Sequence, residues 1–449
     1  CRGSDPLNIL RERIAKEAAV ENERQRWHIR FEPEEAAQDG SAQGETSSAP
    51  SAGEQGGTRY ASRAAAESAP TRITATLDVE TYRFGAITQR ASIPERDIPL
   101  DPGLVNQVND SLVSATLAEQ YRNGLFLQKL LLPDDFREHV QSDAPLILML
   151  DNSTARIHWE MMVGSSLDTP PAGSLGPNSD PSAFQDMFWG TGRGLTRQLR
   201  TAFAPPPEPP PPARRLLRVL IVADPAADQP LLGAQQEGFE IGELFESYNR
   251  IHADSPNRVE VVRLLGPQEA TRINVMRHLM LRTYDVLHFA GHCFFDRDHP
   301  TRSGWLFSKG ELMTARELSR IDRVPKFVFS NACESGVTTL RPELRDPRYA
   351  PSFAESVFLR GVSNFICTAW PVNDAAARHF ARTLYANLLD VVPHSVDVQP
   401  APRLTMHQAM REARLAIATT AAGETTWGAY QHYGHPNHRF FSSLTTAQR

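Results

Sequence analysis

An α/β fold, in which a mostly parallel sheet carries helices on both faces, is what the sequence predicts, and two observations predict it. From residue 214 onward, apolar runs alternate with amphipathic helical stretches, the rhythm of β-α-β units. The runs RLLRVLIVAD (215–224), VEVVRLLG, YDVLHFAGH and KFVFSNAC are also nearly continuous in apolar residues, as strands covered on both sides require.

The elements follow in order. Residues 5–27 read as a charged helix, with Asp5 as N-cap, Pro6 at the first helical position and a thin apolar stripe of Leu7, Leu10, Ile14 and Ala18. A docking or coiled contact suits this N-terminal segment (1–35); a frayed solvated tail suits it equally. Residues 36–70 hold Ala, Ser, Gly, Glu and Gln with almost nothing large and apolar, so burial cannot offset the entropy of ordering them, and a disordered linker is expected. Order resumes over 71–163: ITATLDVETY (73–82) alternates as a half-exposed strand, a helix follows over about 104–122, LFLQKLLLPDDFREHV continues helically with a break near Pro133, and APLILMLDN (144–152) is a buried strand. Residues 164–213 are rich in Gly, Pro and Ser and end in PPPEPPPP, a stiff spacer, so this stretch reads as an insertion. GTGRG (190–194) inside it has no preceding strand and reads as an ordinary loop. From 214 to the end, helices EGFEIGELFESYNR, EATRINVMRHLMLR, TARELSRI, SFAESVFLRG, DAAARHFARTLYANLL and LTMHQAMREARLAIATT separate the strands, the last of which is VSNFICTAW.

Charge and cysteine usage exclude several classes. A formal net charge of −6 and a pI near 6.2 provide no basic field for nucleic acid or an anionic membrane. The four cysteines, Cys1, Cys293, Cys333 and Cys367, are too few for a disulfide scaffold in 449 residues and point to a reducing, cytoplasmic compartment. No apolar stretch reaches the roughly 18 residues of a spanning helix, and the start lacks the apolar region of a signal peptide. Opening on Cys1 reads as a fragment of a longer protein, with a processed lipoprotein end as the alternative.

Chemistry gathers at two strand ends. LHFAGHCFFD (287–296) and FVFSNACESG (327–336) each stop on polar, reactive residues, and in an open parallel sheet the carboxyl ends of strands are where such groups collect. On neighbouring strands, about 4.8 Å apart, His292 and Cys333 come within reach of each other. A free thiol, with a pKa of about 8.5, is mostly protonated at neutral pH, and a nearby imidazole can take its proton or stabilise the thiolate. Two other readings stay open: ordinary core with polar punctuation, and a zinc site from His288, His292, Cys293 and Cys333, although adjacent residues such as His292 and Cys293 rarely converge on one tetrahedral ion.

The combination of YDVLHFAGH, FVFSNACESG, GVSNFICTAWPVND and a late HQAMREAR helix, preceded by LLLP, LILMLD, IHWEMM, VLIVADP and LLGAQQE, resembles the CHAT family of caspase-like cysteine peptidases, relatives of separase, from about residue 72 to the end. The resemblance implies a caspase-like α/β domain over 71–449 and cysteine endopeptidase activity on protein substrates with no metal or other cofactor. It implies Cys333 as nucleophile, His292 as general acid and base, and His288 as a core residue. Main-chain N–H groups of Cys333 and Cys293 would stabilise the oxyanion; the family usually has glycine at the latter position, so a strained turn is expected there. Asp374 is either the N-cap of the following helix or a substrate-pocket acid that prefers Arg or Lys before the cut bond. Asp296, Asp298 or Glu334 could serve instead, with loops around Glu334 and Trp370 forming the groove. A regulatory partner at the N-terminal helix, autocleavage in the linker or Pro-rich stretch, and a catalytically impaired interaction module as the rival function complete the expectations.

Overall fold

The computed structural model describes residues 70–87, 92–113, 115–136, 144–164, 184–200, 216–294, 302–318, 320–333, 361–391 and 404–441. The expected N-terminal helix, the linker up to residue 69, the polyproline run, nearly all of SFAESVFLRG, and Asp296, Asp298 and Glu334 lie outside them.

In chain order the strands and longer helices are β1 (Thr71–Asp78), β2 (Thr81–Ile87), β3 (Ser92–Pro99), α1 (Pro102–Asp110), α2 (Leu117–Leu131), β4 (Leu146–Leu150), β5 (Thr196–Leu199), β6 (Leu216–Ala223), α3 (Leu232–Ile251), β7 (Arg258–Leu265), α4 (Arg272–Leu281), β8 (Val286–Phe294), β9 (Gly304–Leu306), β10 (Leu312–Thr314), β11 (Phe327–Cys333), β12 (Asn364–Thr368), α5 (Asp374–Leu389), α6 (Met406–Ala418) and β13 (Tyr430–Tyr433). The helix expected over 104–122 is two helices. Thr116 and Glu119 form a reciprocal capping box, and this restarts the chain at α2 instead of letting α1 run on.

One sheet joins all the strands. Its first block, β7-β6-β8-β11-β12, is entirely parallel, and so is its second, β13-β5-β4-β1. The blocks meet where β12 pairs antiparallel with β13, while β2 and β3 extend the far edge as antiparallel strands. The predicted mostly parallel α/β architecture is therefore present, as two parallel blocks of opposite direction.

Helices cover both faces of the first block. Ile241, Phe245 and Tyr248 of α3 pack with α5 and α6 over Val219, Val286 and Phe329, whereas Val275 and Leu279 of α4 lie on the opposite side with Leu220, Leu287 and Phe365. Along β8 and β11 alternate residues thus enter separate cores, which is why both runs are apolar at nearly every position.

Within the stretch expected to be a Pro- and Gly-rich insertion, residues 184–200 are built into the fold. Phe184, Phe188 and Trp189 are buried, Trp189–Gly192 forms one helical turn, and β5 lies between β13 and β4. Arg197 at its centre is fully buried. Its Nε donates to Glu160 Oε1 at 2.8 Å, and its terminal nitrogens donate to the carbonyls of Ala155 and Ile157 at 2.7 and 2.9 Å. Among the described residues, no helix is long and apolar enough to cross a membrane.

Candidate active site

Within the first parallel block, the strands in sequence order run second, first, third, fourth, fifth across the sheet. The connections leaving β6 and β8 therefore diverge, and this switch point opens a crevice at the carboxyl ends of those strands. β6 stops at Ala223, opposite Ala290, and β8 runs on beyond it through Gly291, His292 and Cys293 to Phe294. On its other side β8 stays paired with β11 to the end of the latter, where His292 and Cys333 are direct partners in the parallel register. Two residues far apart in the sequence thus stand side by side.

The loop after β6 closes over His292. Asp224 takes a positive φ of 51°, its N–H donates to Ala290 O at 2.9 Å, and its Oδ1 accepts from Leu231 N–H at 2.8 Å. These bonds fold residues 224–231 back onto the strand. Gly291 makes room for them, since a Cβ there would stand 3.0 Å from Pro225 Cδ and 3.3 Å from the Phe289 ring. Ser308 Oγ donates to Pro225 O and accepts from Ala227 N–H, both at 3.0 Å, pinning the loop to the turn between β9 and β10. Held in this way, the loop presents the Gln229 carbonyl 3.0 Å from His292 Nε2. A carbonyl only accepts, so Nε2 carries the proton in this contact. His292 itself is 7% exposed, deep enough to be oriented and still near the surface.

A narrow cleft beside Gly291 is lined by Leu231, Gly233, Glu237, Asn331, Val372 and Asp374, among others. Asp374 is the first residue of α5 and is not its N-cap: Asn373 fills that role, its side chain accepting from the N–H groups of Ala375 and Ala376 at 3.0 and 3.2 Å. Asp374 is exposed, and among the described residues it accepts no hydrogen bond and forms no ion pair. Partial burial pushes its carboxyl above the usual range and the nearby Glu237 adds to this, with His292 and Arg378 pulling the other way. The interaction with His292 places Asp374 in the electrostatic neighbourhood of the strand ends.

Beneath the cleft lies a polar network that the sequence reading did not identify. Glu237, on the sheet-facing side of α3, accepts from Asn331 Nδ2 at both carboxylate oxygens, at 2.7 and 2.9 Å. His288 is fully buried, as a core residue should be, but it is no apolar filler: its Nε2 lies 3.0 Å from Glu237 Oε1. The signals were present in the sequence. Glu237 shares a helical stripe with Ile241 and Phe245, and Asn331 interrupts an apolar strand, so each is a polar residue at a core position.

The other expected site residues divide. Cys293 points away from this network: its sulfur donates to Ala332 O at 3.3 Å within the opposite core. The strained turn expected there is not found, because β8 continues through Cys293, paired opposite Trp305, and the described non-glycine residues with positive φ are Val79, Asp224, Lys309 and Asp390. With its sulfur on the other face from His288, Cys293 does not complete a zinc set, and among the described residues no three metal-ligating side chains converge. Trp370 is 6% exposed; its ring meets His158 edge-on at 4.7 Å and its N–H donates to Thr425 O at 2.9 Å, so its indole braces the loop before α5. Glu334 follows β11 and falls outside the described residues.

Comparison with known proteins bears on this arrangement. Residues 123–436 match the family model described as the CHAT domain. Among solved structures, the chain is similar to the Arg-specific cysteine proteinase gingipain R at a TM-score of 0.39 and 11% identity, over 69% of this chain and 68% of that one. It is similar to the complex of Porphyromonas gingivalis RgpB pro- and mature domains at a TM-score of 0.40 and 11% identity, over 74% and 76%. For the Saccharomyces cerevisiae separase–securin complex the TM-score is 0.43 at 10% identity, over 81% of this chain but only 30% of the other. No curated protein matches.

Proposed function

Because the chain belongs to the CHAT-domain family, whose model matches residues 123–436, we propose that it is a cysteine endopeptidase in which Cys333 is the nucleophile and His292 transfers the protons. The observation that carries this reading is the register that sets His292 directly opposite Cys333 at the shared carboxyl end of β8 and β11. The orientation of His292 adds to it. With the Nε2 proton held by Gln229 O, Nδ1 is the nitrogen that accepts the thiol proton. The resulting thiolate attacks the carbonyl carbon of a peptide bond and forms a tetrahedral oxyanion. Main-chain N–H groups of Cys333 and Cys293 stabilise that oxyanion. His292 then gives its proton to the leaving amine as the C–N bond breaks, leaving a thioester. Water, losing a proton to His292, hydrolyses the thioester and restores the thiol.

Asp374 is assigned the reading of a basic side chain before the cut bond. A carboxylate at the cleft wall, without an ion-pair partner among the described residues, complements Arg or Lys, and its helix-start position leaves it rigidly based while the capping duty falls to Asn373. Regulation by a partner at the N-terminal segment, and a protein substrate drawn from the cytoplasm, belong to the same proposal.

A cysteine-directed electrophile tests the dyad. Rapid modification at Cys333 that slows at least ~100-fold in His292→Ala is the expected result, from the size of general-base contributions. Slow labelling indifferent to His292 would instead mark an interaction module on a peptidase fold. Digesting a proteome-derived peptide library with wild type and with Cys333→Ala reads activity and cleavage preference together.

A further inference from the structure

Below the candidate dyad, Glu237, Asn331 and Tyr430 form one hydrogen-bonded set, and the His288 ring, bonded through Nδ1 to the Tyr385 hydroxyl, lies against it. Asn331 Nδ2 donates to both oxygens of Glu237 at 2.7 and 2.9 Å, and the orientation of that amide is fixed because its Oδ1 accepts from the Tyr430 hydroxyl at 3.1 Å. His288 brings Nε2 to 3.0 Å from Glu237 Oε1, and its Nδ1 lies 3.3 Å from the Tyr385 hydroxyl. Glu237 is 3% exposed and His288 is wholly buried. A carboxylate kept in such a place is expensive compared with a leucine or methionine of similar volume, so stability alone gives no reason for it. Its partners sit at informative positions. His288 is on β8, two pleats before His292; Asn331 is on β11, one pleat before Cys333.

We infer that Glu237 is a positioning residue for the dyad: its carboxylate is hydrogen-bonded to Asn331 of β11 and wedged 3.0 Å from His288 Nε2 of β8, and so fixes the two strand ends that carry His292 and Cys333. This inference rests on the dyad reading above. The tie comes from a third element, α3, and crosses from one strand to the next. It therefore resists sliding of β8 against β11, which the ladder bonds alone oppose less directly. Displacements of about 1 Å between reacting groups cost on the order of 100-fold in rate, so a device of this kind acts on turnover more than on substrate binding.

The test exploits the direction of the hydrogen bonds. Glu237→Gln turns one acceptor into a donor facing either the Asn331 amide or His288, and Asn331→Asp sets two carboxylates against each other. Combining them, E237Q/N331D, restores complementarity: the introduced amide donates to the introduced carboxylate with its oxygen left toward His288, and that carboxylate still accepts from Tyr430. Each single variant is expected to lower kcat at least ~10-fold with KM within ~3-fold of wild type, and the double variant to return within ~3-fold of the wild-type kcat. Tyr430→Phe keeps the ring stacked 3.5 Å from Phe380 and removes the hydroxyl that donates to Asn331; it is expected to melt like wild type and to lose ~3-fold in kcat.

An E237Q enzyme within ~2-fold of the wild-type kcat overturns the inference. So does a double variant that melts like wild type yet is no faster than the singles. If the single variants do not fold, the double variant and Tyr430→Phe decide, and an unslowed Tyr430→Phe is then the overturning result. Failure of the dyad itself would show separately, as His292-independent labelling of Cys333 in the otherwise unaltered protein.

Discussion

Replacing Asp374 by asparagine keeps the shape of the cleft wall and removes a negative charge from it. The expected effect follows from where the carboxylate stands. It is part of the cleft lining, exposed, and without an ion-pair partner among the described residues, so a cationic substrate group about 4 Å away gains about 4 kcal/mol at an effective dielectric of 20. Solvent access roughly halves this, leaving about 2 kcal/mol, or ~30-fold in kcat/KM. D374N should therefore cut peptides with Arg or Lys before the scissile bond ~30-fold less efficiently, while peptides with a neutral residue there change less than ~3-fold. Paired fluorogenic peptides, identical except at that residue, read the difference directly. A second signature comes from pH. Burial and Glu237 raise the Asp374 carboxyl, so its charge is lost on acidification earlier than that of an ordinary aspartate, whose pKa is about 3.9. Preference for basic peptides in the wild type should fade over that range as pH falls, and D374N should show no such fading. Equal loss on basic and neutral peptides, or no loss on either, would refute the assignment and leave Asp374 as the opening residue of α5 only.

Two further perturbations test the frame that holds the site. Glu160→Gln leaves Arg197 and Arg414, both fully buried, without their counter-charge and should cost about 3–5 kcal/mol in denaturant unfolding. Burial alone would raise the Glu160 carboxyl, but Arg197 and Arg414 outweigh it and hold the group below its usual range. Its stabilising contribution is therefore complete above the ordinary carboxylate range and fades as pH falls beneath it; unfolding midpoints that do not respond to acid would contradict this. Gly194→Ala places a Cβ 1.7 Å from the His407 carbonyl oxygen at a φ of 59° and should destabilise by at least about 2 kcal/mol. A thermal midpoint equal to that of wild type would show that α6 is free to move away from this turn.

How far the sequence carried differs by region, for identifiable reasons. β8, β11 and β12, and most of β6, were readable because they are buried on both faces, so nearly every position is apolar and the run stands out without any partner; β7, a half-buried edge strand, was readable from its run of Val and Leu. β5 and β13, TRQL and YQHY, were not. They lie in the middle of the sheet, yet their polar side chains are satisfied by distant groups: Arg197 by Glu160, Thr196 by His432, and His432 by Asn364. Nothing local announces such strands. β3 was hidden by the two prolines of SIPERDIP, which an edge strand accommodates.

The candidate site divides along the same line. By itself the sequence determined the chemistry available, an imidazole and a thiol each closing an apolar strand, and the family resemblance that pairs them. Tertiary structure decided that the two strands are neighbours in a register that sets His292 against Cys333, and that the Gln229 carbonyl selects the protonated ring nitrogen. It also decided that Asp374 lines the cleft, that Trp370 turns into the core, and that Glu237 is hydrogen-bonded to Asn331 and lies beside His288. The physical reason is that apolar periodicity is a property of neighbours along the chain, whereas strand order, loop closure and the pairing of buried polar groups depend on residues tens to hundreds of positions apart, whose match exists only after the chain has closed on itself.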